Sequence, residues 1–217
     1  MTRTLLLDLD GTLVDSVPDL AAALNRLMAA RGLAAFSRAE VTAMVGDGAA
    51  VLLARAFAAR RTAQDDGALD AFLIDYTANT AVETRPFPGV IAGLDGLAAA
   101  GWRLAVCTNK PEAAARALLA ALGMDHYFSA VGGGDTFPVR KPDPAHLIAT
   151  LRAAGGDPGR AVMSGDHHND VAAAQGAGVK CIFAAWGYGT AAMGAEAAAV
   201  AGDFAAMARI AGEMLPG

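Results

Sequence analysis

Short apolar runs alternate with helical segments over the second half of this 217-residue chain, and this alternation limits the possible folds most strongly. Such alternation is typical of βαβ units, in which parallel strands form a sheet covered by helices on both faces. Strands are predicted at residues 103–107, 128–131, 161–163 and 180–184, and helices at 90–100, 111–122, 144–154 and 171–176. We therefore predict an α/β fold with a doubly wound, Rossmann-like parallel sheet, completed by a weak strand and a final helix within residues 195–215.

The first part of the chain predicts an insertion in this sheet. The apolar run at residues 4–9 indicates a strand buried on both faces. No strand pattern follows between residues 17 and 80, where helical patterns continue up to a proline-rich connector at 85–89. We therefore expect an all-helical cap domain inserted after the first strand. The expected division is a core of residues 1–15 and 82–217 and a cap of residues 16–81.

Composition argues against several classes of protein. The chain is 54% hydrophobic, but no apolar run reaches the roughly 18 residues of a spanning helix, and Asp8 excludes an early signal-peptide core. The net charge of −5, with no basic run beyond Arg60-Arg61, argues against nucleic acid as a partner. Cys107 and Cys181 lie in apolar runs typical of buried thiols. We expect a cytoplasmic monomer or homodimer without a membrane partner.

Polar motifs follow the predicted strands, at the edge where a doubly wound sheet binds its ligands. They are Asp8-Leu9-Asp10-Gly11-Thr12, Thr108-Asn109-Lys110, Lys141-Pro142 and the segment 164–170. Asp8 and Asp10 are two residues apart on extended backbone, so their side chains face the same space. Gly11 permits close approach of the backbone to a ligand. The helix that begins after Thr108 offers free N–H groups to an anion.

These motifs predict a site for phosphoryl transfer. Four carboxylates are expected to converge and repel one another, namely Asp8, Asp10, Asp166 and Asp170. A hard divalent cation relieves such repulsion, and Mg²⁺ prefers a few carboxylates together with water and a phosphate oxygen. The chain has only three lysines, Lys110, Lys141 and Lys180, and two of them lie in these loops. Positioning and charge neutralisation of this kind are what phosphoryl transfer requires.

Taken together, the four motifs resemble those of the haloacid dehalogenase superfamily, in the right order and over essentially the whole chain. The resemblance rests on DLDGT (8–12), TNK (108–110), KP (141–142) and GDxxxD (165–170). The helical insertion is similar to the small helical cap of that superfamily. Further segments resemble bacterial phosphoglycolate phosphatases, namely those at 44–57, 88–90, 108–111 and 132–135. This resemblance implies a Mg²⁺-dependent phosphomonoesterase whose partner is a small phosphorylated metabolite, 2-phosphoglycolate.

The resemblance also implies a role for each residue. Asp8 would be the nucleophile that forms an aspartyl-phosphate, and Asp10 the general acid and then base. Thr108 and neighbouring N–H groups would hold the phosphoryl oxygens, and Lys141 would neutralise charge. The implied metal ligands are Asp8, Asp10 through its backbone carbonyl, and Asp166, with Asp170 behind them or reaching the metal through water. The remaining candidates for substrate contact are Gly11, Thr12, Asn109, Gly46, Asp47 and Gly48.

Several alternatives stay open. Relatives usually carry Ser or Thr where this chain has His167-His168. The histidines are either a further metal ligand that favours Mn²⁺ or Zn²⁺, or a tolerated substitution in the loop. Asp47 is expected to N-cap the helix from residue 49, with the alternative that it overhangs the site. A side chain at Gly48 is expected to impair binding of a carboxylate substrate selectively. Another small-phosphate phosphatase, a β-phosphoglucomutase-like phosphomutase and a catalytically silent regulatory module are the alternative functions.

Overall fold

Six parallel strands form the central sheet of the protein. A computed structural model describes residues 2–217. The described residues contain eight strands, of which β2 and β3 lie outside this sheet: β1 Thr4–Leu7, β2 Val14–Asp15, β3 Arg85–Pro86, β4 Arg103–Cys107, β5 Phe128–Gly132, β6 Ala161–Gly165, β7 Lys180–Ala184 and β8 Ala199–Ala201. The sheet order is β5-β4-β1-β6-β7-β8, with every neighbouring pair parallel. The predicted doubly wound sheet is confirmed, and its strand order reverses between β1 and β6.

Nine α-helices accompany these strands within residues 2–217. They are α1 Val17–Ala30, α2 Arg38–Thr42, α3 Ala49–Ala59, α4 Ala68–Ala78, α5 Val90–Ala99, α6 Glu112–Ala121, α7 Pro144–Ala153, α8 His168–Gly176 and α9 Phe204–Met214. Helices α1 to α4 lie between β2 and β3, in the stretch where the sequence predicts an all-helical insertion. No helix in the described part of the chain is long and apolar enough to span a membrane.

Both faces of the sheet are buried, as the unbroken apolar run of β1 requires. Successive side chains of a strand point to opposite faces. Leu5 and Leu7 therefore pack with residues of α5, α6 and α9, while Leu6 packs with residues of α7 and α8. Each of these fully buried leucines stabilises the fold by about 2 kcal/mol relative to an exposed one. The two layers hold the carboxyl ends of β1 and β6 in fixed positions.

The helical insertion has a hydrophobic cluster of its own. Leu24, Phe57 and Phe72 belong to this cluster, and Ala114 of α6 is the sheet-side residue that joins it. An amphipathic helix is stabilised mainly by burying its apolar face, so α1 to α4 depend on one another for stability. The division into a core of residues 1–15 and 82–217 and a cap of 16–81 stays our proposal.

Two local features differ from the sequence predictions. The connector at 85–89 contains β3, which pairs with β2 in a two-residue antiparallel ladder too short to leave a sequence pattern. Helix α8 begins at His168 rather than at residue 171, because His167 and Asp170 form a capping box around its first turn.

Candidate active site

Three buried carboxylates meet where the strand order reverses. Asp8 follows β1, Asp166 follows β6, and Asp170 lies in the first turn of α8. One oxygen of each lies within 4.8 Å of the others. The structure therefore brings together three of the four predicted carboxylates at the edge where parallel sheets bind ligands.

Lys141 is the cation that contacts this group. Its Nζ lies 3.0 Å from Asp8 Oδ1 and 2.5 Å from Asp170 Oδ1, and its side chain is 1% exposed. Burial alone lowers the pKa of Lys141, but the Asp170 and Asp8 carboxylates outweigh it and hold that pKa above its ordinary value. Lys141 is therefore a fixed positive charge beside Asp8.

One lysine does not balance three carboxylates. Burial raises the pKa of Asp8 to about 6, against the opposing charge of Lys141. Burial also raises the pKa of Asp166 to about 7, with further contributions from Asp8 and Asp170. A divalent cation would supply the missing charge, and these oxygen donors suit a hard metal ion. The residues present thus fit a metal site.

Asp166 is held by the loops that follow β1 and β7. Thr12 Oγ1 donates to Asp166 Oδ1 at 2.9 Å, and the backbone N–H of Tyr188 donates to Oδ2 at 2.8 Å. Gly11 has a φ of +84°, and a Cβ there would overlap the Asp166 carboxylate. Glycine is therefore required at position 11, and the predicted substrate contact Thr12 directs its hydroxyl to Asp166.

Asp10 does not belong to the group of three carboxylates, although its side chain lines the same cavity as Asp8. Ser16 Oγ donates to its Oδ1 at 2.6 Å, and Lys110 Nζ lies 3.0 Å from Oδ1 and 3.2 Å from Oδ2. The side chain of Asp10 is therefore separate from the possible metal ligands, and only its backbone carbonyl stays a candidate for that role. Its carboxylate is instead positioned beside Asp8 by two donors.

The loop after β4 offers donors to an anion. Thr108 Oγ1 accepts from the N–H of Lys110 at 3.2 Å, so its own hydroxyl proton is available. The N–H groups of Asp10 and Asn109 donate to no backbone or side-chain acceptor among residues 2–217. Asn109 Nδ2 donates to the carbonyl oxygens of Gly46 and Lys141, each at 3.0 Å. The side chain of Asn109 therefore ties the loop at 46–48 to the sheet.

Asp47 does not N-cap α3, and that expectation is wrong. The N-cap residue is Gly48, with no side-chain cap bond. Asp47 Oδ2 instead pairs with Arg55, and Oδ1 accepts from Asn169 Nδ2 at 2.7 Å. Both oxygens therefore face donors other than the N–H groups of the first turn of α3.

His167 and His168 lie near Asp47 and outside the group of three carboxylates. Their ligand atoms and an Asp47 oxygen lie within 4.8 Å of one another. The Nδ1 of His167 accepts from the N–H of Asn169 at 3.4 Å. The histidines therefore do not extend the carboxylate set, and His167 acts as the N-cap of α8.

Sequence reasoning missed three residues near the carboxylates, namely Ser16, Tyr76 and Tyr188. It placed Lys110 in a candidate active-site loop but gave this residue no role. The hydroxyl of Tyr188 accepts from the N–H of Ser16 at 2.7 Å and donates to Asp15 Oδ1 at 2.8 Å. Tyr188 follows β7, so the strand-end rule that found the other motifs could have found it. Tyr76 belongs to α4 and has no comparable sequence signal.

A cavity lies between the polar residues at the strand ends and the helical insertion. Asp8, Asp10, Thr108 and Lys110 line its sheet side, and its other lining residues include Leu20, Leu52, Phe72 and Tyr76. The cavity volume open to the centre of a water molecule is about 40 Å³. A small polar molecule can therefore contact the carboxylates while apolar helices cover its other end.

The fold and site define a class of α/β hydrolase in which carboxylates at strand ends act beneath a helical cover. A family model for haloacid dehalogenase-like hydrolases matches residues 2–178. The chain belongs to this family.

Relatives and solved structures agree with this assignment. The chain is 48% identical to a phosphoglycolate phosphatase of Agrobacterium fabrum, over 83% of this chain and 79% of that protein. It is 45% identical to one of Rhodospirillum rubrum, over 100% and 94%. A crystal structure described as a predicted phosphoglycolate phosphatase from Haemophilus somnus has a TM-score of 0.89 and 32% identity, covering 96% and 97%. CbbY from Rhodobacter sphaeroides in complex with phosphate has a TM-score of 0.82 and 28% identity, covering 94% and 96%. The chain is a phosphoric monoester hydrolase.

Proposed function

We propose that this chain is a Mg²⁺-dependent phosphomonoesterase that hydrolyses 2-phosphoglycolate to glycolate and phosphate through an aspartyl-phosphate on Asp8. One observation carries the proposal. The buried Asp8 carboxylate contacts Lys141 at 3.0 Å, and Asp10, two residues further on, lines the same cavity beneath the helices. This arrangement supports a nucleophile and a separate acid in one cavity, with a fixed cation in contact with the nucleophile.

In the first step Asp8 attacks the phosphorus atom. Its Oδ1 accepts from the N–H of Leu9 at 2.7 Å and contacts Lys141, which leaves Oδ2 to form the new bond. As the bond from phosphorus to the ester oxygen breaks, Asp10 gives that oxygen a proton. Thr108 and the free N–H groups of the loops would bind the phosphoryl oxygens.

In the second step water hydrolyses the aspartyl-phosphate. Asp10, now a carboxylate, removes a proton from the water that attacks phosphorus, and Asp8 is released with inorganic phosphate. Ser16 and Lys110 hold Asp10 in position through both steps. The same residue therefore serves as acid and then as base, which closes the cycle.

The proposed metal ligands are Asp8, Asp166, Asp170 and the backbone carbonyl of Asp10. Bound Mg²⁺ would neutralise negative charge on the phosphoryl group and on these carboxylates. The fit of three buried carboxylates to a hard cation supports this choice. We expect metal removal to abolish activity, because the repulsion among the carboxylates would return.

The substrate proposal is supported by the phosphoglycolate phosphatases among the relatives. Gly11, Thr12 and Asn109 are proposed to shape the phosphate end, and Gly46, Asp47 and Gly48 the leaving-group end. We also propose a cytoplasmic enzyme, monomeric or homodimeric, without a nucleic-acid partner. Two buried free cysteines support the cytoplasmic location. The net charge of −5 supports the expectation that nucleic acid is not a partner.

The experiment measures phosphate release from p-nitrophenyl phosphate, 2-phosphoglycolate and β-glucose 1-phosphate, with Mg²⁺ and after EDTA treatment. We expect Mg²⁺-dependent turnover of the first two and the highest kcat/KM for 2-phosphoglycolate. Absence of turnover with every ester would indicate a regulatory module. Isomerisation of the sugar phosphate without phosphate release would indicate a phosphomutase, and preference for a neutral sugar phosphate would refute the substrate proposal.

A further inference from the structure

Lys110 is a buried cation with two partners from different parts of the chain. Its Nζ lies 3.0 Å from Asp10 Oδ1 and 2.6 Å from the hydroxyl oxygen of Tyr76 in α4. The same Nζ lies 4.2 Å from the centroid of the Tyr76 ring. The side chain of Lys110 is 3% exposed. A lysine held in this way has little conformational freedom left to lose when it binds a ligand.

Lys110 is the one cation among the described residues that line the cavity. Lys141 contacts Asp8 and Asp170 below it. Four arginines of the helical insertion instead pair with acidic residues outside this cavity, as Arg26–Asp75, Arg31–Asp65, Arg38–Glu83 and Arg55–Asp47. A carboxylate that enters the cavity needs a cation, since burying it unpaired is costly. Lys110 is paired with Asp10 inside the cavity, and it can become that partner when Asp10 carries the proton that it donates to the ester oxygen.

The distances suit a substrate whose ester oxygen and carboxylate are separated by one methylene. In such a molecule the nearest carboxylate oxygen lies about 3 Å from the ester oxygen. Asp10 must come within about 2.7 Å of the ester oxygen to protonate it. Because Lys110 Nζ lies 3.0 Å and 3.2 Å from the two Asp10 oxygens, it can reach a carboxylate at that spacing.

Tyr76 supplies the second donor. Lys110 donates to the Tyr76 hydroxyl oxygen, so the phenol proton is free for another acceptor. Tyr76 is 2% exposed and belongs to the hydrophobic cluster of the helical insertion. Its position therefore depends on how the helices pack over the sheet.

We propose that Lys110 and Tyr76 form the subsite that binds the substrate's carboxylate, with Tyr76 the residue by which the helical insertion recognises the leaving group. This inference rests on the proposed function and deepens it. It replaces the loop at 46–48 as the main carboxylate contact. The ligand class is a short phosphorylated carboxylic acid, with one methylene between its two anionic groups.

The test compares 2-phosphoglycolate with 2-phosphoglycolamide, which has nearly the same size and ester oxygen but no carboxylate charge. The readout is the ratio of the two kcat/KM values. Lys110→Met keeps a similar chain length without charge and is expected to lower this ratio about 10- to 100-fold. Tyr76→Phe removes only the hydroxyl and is expected to lower it about two- to tenfold. Lys180→Met, at an exposed position in β7, is the matched control with a wild-type ratio.

Inhibition by the product glycolate gives a second readout that does not depend on a carboxylate substrate being turned over. Glycolate is expected to inhibit hydrolysis of p-nitrophenyl phosphate by the wild type competitively, and the Lys110→Met variant at least about tenfold more weakly. If both substrates lose rate equally in this variant, Lys110 only positions Asp10 and the subsite is overturned. If Lys110→Met does not fold, an unchanged ratio in Tyr76→Phe overturns it. A wild type without preference for the carboxylate overturns the proposed function itself.

Discussion

Two aspartates of one motif have different surroundings and therefore different chemistry. Asp8 contacts Lys141 and lies within the group of three carboxylates, whereas Asp10 contacts Lys110 and Ser16. Alternation along extended backbone puts both side chains in one cavity, but separate lysines hold them apart. In the proposed mechanism, this separation lets one carboxylate attack phosphorus while the other transfers protons.

At the residue scale, Asp8→Asn is expected to abolish turnover without unfolding the protein. An amide cannot act as the attacking carboxylate, and loss of such a nucleophile lowers kcat by about 10³-fold or more. Phosphate release and circular dichroism measure the two effects. Asp66→Asn, at an exposed position in the insertion, is the matched control with wild-type activity. A folded Asp8→Asn protein with normal turnover would remove Asp8 from the mechanism.

Asp10→Asn is expected to affect substrates according to their leaving groups. An acid is needed most for a poor leaving group such as an alkoxide and least for p-nitrophenolate. Rapid-mix measurement of p-nitrophenol release should therefore show a phosphorylation burst in the variant, followed by slow hydrolysis. Turnover of 2-phosphoglycolate should fall far more than the burst rate. Normal turnover of 2-phosphoglycolate by this variant would show that Asp10 is not the acid.

At the element scale, the strand ends were predictable and the contacts between loops were not. A buried apolar run followed by Asp, Thr or Ser-Gly-Asp is a local pattern, so β1, β4 and β6 could be located from the sequence. The side-chain bonds from Asn109 to Gly46 and from Asn169 to Asp47 join segments more than 60 residues apart. No local pattern contains that information, so the sequence predicts an N-cap role for Asp47 where the structure shows bonds to Arg55 and Asn169.

Gly48 at the start of α3 now has a different expected role. Its φ is +90°, and a Cβ there would lie 2.9 Å from the backbone oxygen of Asn109. Gly48→Ala should therefore disturb the loop after β4 and lower kcat/KM for 2-phosphoglycolate and p-nitrophenyl phosphate alike. Gly67→Ala is the control, since its Cβ would meet only ordinary contacts. A selective loss for 2-phosphoglycolate would restore the carboxylate role of this loop.

His146 of α7 makes stability depend on pH. Its ring is fully buried, and Nε2 donates to the Gly133 carbonyl at 2.9 Å when the ring is neutral with its proton on Nε2. Burial lowers the pKa of His146 below the value of about 6.5 in an unfolded chain. The unfolded chain therefore binds this proton first, and the contribution to stability falls as pH decreases below about 6.5.

Urea denaturation at pH 7.5 and pH 5 tests this dependence. The free energy of unfolding of the wild type is expected to fall more between these pH values than that of His146→Gln, which has no group titrating there. The difference is at most about 1.4 kcal/mol for each pH unit. Thr62→Ser, which removes no titrating group at an exposed site, serves as the control with the wild-type slope. Equal slopes in wild type and His146→Gln would contradict the assignment.

At the scale of the whole molecule, Asp19 links the two connections between the helical insertion and the sheet. It lies in the first turn of α1, and it bonds to the residues just before β3. This buried residue of α1 accepts from the N–H of Glu83 at 2.9 Å and from the N–H and hydroxyl of Thr84 at 2.8 and 2.7 Å. The β2–β3 ladder lies beside these bonds. The insertion therefore leaves and rejoins the sheet at one place, where its orientation over the cavity is set.

Asp19→Ala is expected to destabilise the protein by about 2–4 kcal/mol, because it leaves buried N–H groups without an acceptor. Thermal or urea denaturation measures the loss, with Asp66→Ala as an exposed control. The kcat/KM for 2-phosphoglycolate should fall more than that for p-nitrophenyl phosphate, because Tyr76 then loses its fixed position. Unchanged stability would mean that the connections are held by the ladder alone.

The global arrangement was also only partly predictable. The order and spacing of the motifs were enough for the fold class, the helical insertion and the convergence of Asp8, Asp166 and Asp170. The pairing of Tyr76 with Lys110 was not, because it depends on the angle at which four helices pack on the sheet. Amphipathic patterns state which face of a helix is buried but not which residue it meets across a cavity.

The scarcity of lysine has a practical consequence for chemical labelling. Lys110 and Lys141 are buried in ion pairs, so Lys180 is the lysine among the described residues whose amine meets solvent. It lies at the amino end of β7, the opposite edge of the sheet from the carboxylates. Among the described side chains, amine-reactive dyes or resins should therefore attach to the folded protein through Lys180. Immobilisation by this chemistry should orient the enzyme with its cavity facing away from the support.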